Sequence, residues 1–137
     1  WMALAGPGAN FALVLVAGLL IRFGTEAGVF DPYGRGLLAV VIPSDGAAPF
    51  WSTAAMFVSA LFGMNLLLMV LNLIPVPPLD GSAAIGLFLS DETSRRWQAA
   101  LAQSGLGIFG LLIAFMSVRY LYWPVYYAAL DVVFAGL

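Results

Sequence analysis

Three runs of this chain are long, apolar and free of charge, and runs of that kind leave few folds open. A helix rising about 1.5 Å per residue needs roughly 20 apolar residues to cross a hydrocarbon layer about 30 Å thick. The first run, Leu4 to Ile21, closes at Arg22. The second lies between Asp45 and Asp80, with its apolar body from Phe50 to Ile74. The third extends from Trp97 to Val118 and ends at Arg119. They predict membrane-spanning helices over 4–22, 50–74 and 97–119. With 63% hydrophobic residues, 9% charged and a mean hydropathy of +1.01, the chain lies outside the range of soluble domains. The expected fold is therefore an all-α integral membrane protein, a single multi-pass domain held in the lipid bilayer of the cell membrane.

The connections carry less pattern. Between the first two spans, "GTEAGVFDPYGRGLLAVVIPSDGAAP" holds one apolar piece, Leu37 to Ile42, too short to cross and readable as an interfacial strand or half-helix. After the second span come a proline-rich stretch, a short helix over 82–89, and the polar "SDETSRR". The tail after Pro124 carries Asp131 and is also too short to cross, which predicts a short interfacial or re-entrant helix over 125–136. Consecutive spans alternate in direction, so the start of the first and the end of the second share one face. Arg22, Arg35, Phe50, Trp51 and the "YLYW" following Arg119 fall on the other, where the aromatics would form one interfacial belt. Arg22 and Arg35 balance Arg95 and Arg96, so charge does not orient the chain. No basic segment precedes the first apolar run, so that run is retained and is no signal peptide. The opening at Trp1 predicts a start within a longer protein, with Met2 as the alternative start.

Several functions are excluded early. The chain has no lysine and a net charge of −2, which leaves no basic patch for nucleic acid. It has no cysteine and no histidine, so disulfides, thiol nucleophiles and any metal site needing an imidazole from within the chain are ruled out.

Against that background the carboxylate in "NLIPVPPLDG", Asn72 to Gly81, stands out. As an N-cap, Asp80 would satisfy free amides at the start of the following helix. As a functional acid, it is the kind of ionisable group that membranes retain only for a proton, ion, substrate or metal. Pro75, Pro77 and Pro78 forbid helix continuation and hold the chain extended, which positions the carboxylate. Asn72 adds a carboxamide at a nearby level, its bland use being a helix-to-helix hydrogen bond. In "AGPGAN", Gly6 and Gly8 suit close packing, Pro7 is tolerated in a first helical turn, and Asn10 would face a neighbour one turn deeper. Gly110 and Ala114 read as packing residues by their spacing.

Together, "ALAGPGANFALVL" and "NLLLMVLNLIPVPPLDG" resemble the second half of the site-2 protease family of intramembrane zinc metallopeptidases. The likeness covers residues 3 to 16 and 65 to 86. It implies that Asp80 is the third protein ligand of a catalytic zinc. It also implies that Asn72, Pro75, Pro77 and Gly81 border the groove for a transmembrane substrate, while Gly6, Pro7 and Asn10 serve structure. The active-site face would lie toward the cytosol. Family members supply two histidines and a catalytic glutamate from an H-E-x-x-H helix that precedes Ala-Gly-Pro. Here there is no histidine, and the only glutamates, Glu26 and Glu92, lie outside any such motif. The resemblance thus implies that N-terminal helices of the same protein complete the site, and that this chain alone neither holds zinc nor cleaves. Two other readings stand beside it: an inactive relative that binds transmembrane helices, and a small transporter or scaffold with Asp80 as an ion site.

Overall fold

The computed structural model describes residues 2–76, 78–84, 89–103 and 106–137. Its elements run α1 (Met2–Glu26), β1 (Phe30–Pro32), β2 (Val41–Pro43), α2 (Phe50–Leu73), α3 (Asp80–Ala84), α4 (Asp91–Gln103) and α5 (Leu106–Val133). Three segments, Ala5–Glu26, Phe50–Leu73 and Ile108–Val133, are long and apolar enough to cross a membrane.

The helices α1 and α2 lie antiparallel, with Gly18 against the Phe62 ring and Gly6 beside Asn72. On α2 the buried residues are Ala55, Val58, Ser59, Phe62, Gly63, Leu66 and Val70, a single stripe at helical spacing. Val14, Ala17 and Ile21 of α1 face into the same core. Large apolar side chains such as Phe23, Phe57 and Phe115 point outward, the reverse of a helix bundle built for water. At the far end of α1, Arg22 donates to the carbonyls of Val133 (3.3 Å) and Ala135 (3.1 Å). A guanidinium there satisfies carbonyls that the end of α5 leaves without donors.

The third apolar helix is displaced from its expected position. Trp97 belongs to the polar α4, and the segment able to cross is Ile108–Val133, not 97–119. Pro124 does not end it, so the separate helix expected over 125–136 is instead the last part of α5. A proline inside a helix removes one backbone donor and crowds the carbonyl four residues earlier, a cost that apolar helices tolerate when neighbours hold them in place. The helix expected over 82–89 is described from Asp80 to Ala84, and 85–88 lie outside the described residues.

The fold is also not purely helical. β1 and β2 form an antiparallel pair with Phe30 opposite Pro43 and Pro32 opposite Val41. The hairpin they form does not stay at the end of the helices. Its tip rests on α2 at Gly63, where a Cβ would run into the Leu37 carbonyl. Gly63 is thirteen residues beyond Phe50, about 20 Å along the helix axis. Two side chains hold the tip there, and a third braces the helix beneath it. Ser59 Oγ, fully buried, accepts from the amides of Val40 (3.1 Å) and Val41 (3.2 Å). Tyr126 donates to the Gly36 carbonyl at 3.0 Å, and Tyr122 donates to that of Gly63 at 3.5 Å. Non-helical backbone packed among apolar helices needs such partners, because nothing else there can satisfy its amides and carbonyls.

The single aromatic belt is consequently split in two. Trp51 packs edge-on to Phe30 and Phe50 at the start of α2. Tyr122, Trp123, Tyr126 and Tyr127 instead form a cluster inside α5, with Tyr126 set against Phe62. The helix continues through Pro124, so these rings lie within it and not beyond its end.

Candidate functional site

At its C-terminal end α2 stops where the prolines begin. Ile74, which precedes Pro75, is extended at φ −65° and ψ 126°, the conformation a following proline imposes. The chain then turns tightly: the amide of Val76 donates to the Ile74 carbonyl (2.8 Å) and that of Leu79 to Val76 (3.0 Å). Gly81 is buried where this turn folds back, and a Cβ there would strike the Ile74 carbonyl. Any larger residue would therefore push α3 off the end of α2. These constraints fix where Asp80, the first residue of α3, can point.

It points at Gly6. A Cβ built on Gly6 would lie 2.7 Å from Asp80 Oδ2 and 4.0 Å from Asn72 Nδ2. The bare backbone of α1 is what lets the carboxylate settle between the two helices. Gly6 is expected to serve helix-to-helix packing; lying beside Asn72 of α2, it also makes room for a charged group. Pro7 is buried beside it, and Gly8 faces open space. Asn10 is half-buried and makes no side-chain hydrogen bond among the described residues. Pro75 is exposed next to the turn, and Pro77 lies outside the described residues.

The carboxylate of Asp80 is half-buried, and among the described residues no donor reaches it. Helix capping, which requires a backbone amide on that oxygen, is therefore not its role among these residues. The hydroxyl of Ser82 donates to the Leu79 carbonyl (2.7 Å) and does not turn toward the acid. The Asn72 amide is likewise unbonded among the described residues, whereas Asn65, two turns earlier, spends its amide on the Leu61 carbonyl at 2.7 Å. The sequence thus brings Gly6, Asn72 and Asp80 to one place, as the alternation of helix directions requires.

Among the described residues no three histidine, cysteine, aspartate or glutamate side chains gather closely enough to hold a metal. One carboxylate without an imidazole is not a zinc site, since zinc in hydrolases takes three protein ligands and keeps a position for water. Asp80 does fit the part of a single ligand, with oxygens free of competing donors. No family model matches this chain, and neither a curated protein nor a solved structure matches it.

Ser59 and Asn65 went unnoticed in the sequence. For Ser59 a signal was present. Ala55, Ser59 and Gly63 are small residues at intervals of four, the spacing that lets another backbone approach a helix in an apolar setting.

Proposed function

We propose that this chain is a membrane-embedded part of an intramembrane zinc peptidase of the site-2 type. In this reading α1, α2 and α5 cross the bilayer, and Asp80 is one of three protein ligands to the metal. The remaining ligands come from outside this chain, which has no histidine of its own. The observation that carries the reading is the unbonded Asp80 carboxylate, set against Gly6 with Asn72 alongside. A carboxylate kept as an N-cap or an ion-pair partner would have a donor; one kept for a metal would not.

What this chain does in such a site follows from its own residues. Gly6 leaves the space in which the acid sits, and Gly81 keeps α3 closed on the end of α2, so the segment that bears the ligand is fixed by close backbone contacts. Asn72 offers an amide to the carbonyl of an extended substrate strand. Pro75 and Pro78, both exposed, border the groove, and as prolines they cannot continue the helix. The metal, when bound, supplies activation of a water molecule and polarisation of the scissile carbonyl.

The test is cleavage of a membrane-spanning reporter by the full-length protein. Asp80→Ala is expected to abolish turnover. Asn72→Ala is expected to lower kcat by about a hundred- to a thousandfold with unchanged metal content, the range typical of a polarising donor. Full activity of Asp80→Ala would end the proposal.

A further inference from the structure

Along α5, the residues Leu112, Met116, Arg119, Trp123, Tyr126 and Leu130 recur at intervals of four, three, four, three and four. This is the seam along which one helix packs on another. Its C-terminal part is covered: Tyr126 is fully buried and Leu130 is 8% exposed, where α2 and the hairpin lie. Its N-terminal part is bare, with Met116 65% and Leu112 56% exposed. Arg119 sits within that bare stretch, itself exposed.

The arginine is also far from either end of the apolar segment, eleven residues from Ile108 and fourteen from Val133, about 16 and 21 Å along the axis. Both distances exceed the length of an arginine side chain. Its recorded contact is the ring of its own neighbour Tyr120, with Cζ at 4.9 Å from the centroid, and no carboxylate pairs with it among the described residues. A cation within an apolar helix that faces neither the bundle nor a partner is costly in lipid.

We infer that this bare seam receives a further membrane-crossing helix that carries a carboxylate at the level of Arg119. The continuity of the seam with the packed α5 interface supplies the shape, and the unpaired guanidinium supplies the charge. A second copy of this chain does not fit. About a two-fold axis along the membrane normal the seam would meet itself, setting Arg119 against Arg119. Nor does another copy offer an acid at that depth. Within the three apolar segments the carboxylates are Glu26, at the last residue of one, and Asp131, two residues from the end of another. The inference needs membrane insertion of α5 but not the zinc reading.

The experiment uses the whole chain, fluorescently labelled, in vesicles of phosphatidylcholine. The probe is a synthetic leucine-alanine helix of about 20 residues with one central aspartate, and energy transfer reports association. The aspartate helix should associate, and a helix with leucine at its centre should do so roughly tenfold more weakly, a factor in keeping with a single interhelical polar contact. Arg119→Leu and Arg119→Gln should both lose that difference. Arg119→Asp should bind a helix with a central arginine instead, which no general loss of folding could produce. Equal binding of the aspartate and leucine helices by the unaltered chain would overturn the inference. So would Arg119→Leu and Arg119→Gln chains that fold and still prefer the aspartate helix. If Arg119 serves lipid phosphate instead, the unaltered chain will bind the aspartate and leucine helices equally and will retain added phosphatidylglycerol that Arg119→Leu sheds, which also overturns it.

Discussion

Two places in this molecule bring polar groups into contact with apolar helices, and they treat those groups in opposite ways. At the hairpin tip, Ser59, Tyr122 and Tyr126 each have a backbone partner, and the amides of Val40 and Val41 both reach one hydroxyl. At the end of α2, Asp80 and Asn72 lie close to Gly6 with no hydrogen-bond partner among the described residues. The first place uses polarity to build the fold. The second has polarity left over, which is what a site that receives something from elsewhere requires.

That contrast can be broken in a graded way. Ser59→Ala leaves two buried amides without an acceptor, at about 1–3 kcal/mol each, so destabilisation of about 2–6 kcal/mol is expected. Denaturant unfolding in mixed micelles, followed by the fluorescence of Trp51 near the hairpin, measures it. A loss well under 1 kcal/mol would show that Ser59 does not hold the tip. Tyr126→Phe removes a single donor from the Gly36 carbonyl and should cost about 1–2 kcal/mol by the same measurement. Asp80→Asn touches no hydrogen bond among the described residues, so its unfolding should stay within about 0.5 kcal/mol of the unaltered chain. A large loss there would make Asp80 part of the fold and erase the distinction.

How much of this was legible in the sequence depended on whether local pattern or tertiary contact decided the matter. The apolar runs of α1 and α2 were plain because length and hydropathy are local properties, and the meeting of Gly6 with Asp80 followed from simple alternation of direction. Pro124 misled, because proline ends a helix only when no neighbouring element holds it, and the packing of Tyr122 and Tyr126 on α2 and the hairpin is invisible in one dimension. The depth of the hairpin was missed for a similar reason. Leu37 to Ile42 is too short to cross and so reads as interfacial, while the small residues that admit it, Ser59 and Gly63, lie on a different element. The freedom of Asp80 could not be read either. Its sequence context suits a helix cap as well as a ligand, and only the geometry of α3 shows that no amide among the described residues reaches its carboxylate.

The central claim is that Asp80 is left unbonded for a metal, and zinc stoichiometry of the purified full-length protein tests it most directly. Element analysis should find one zinc per molecule in the unaltered protein and almost none in an Asp80→Ala variant that unfolds at the same denaturant concentration. A full complement of zinc in that variant would contradict the account.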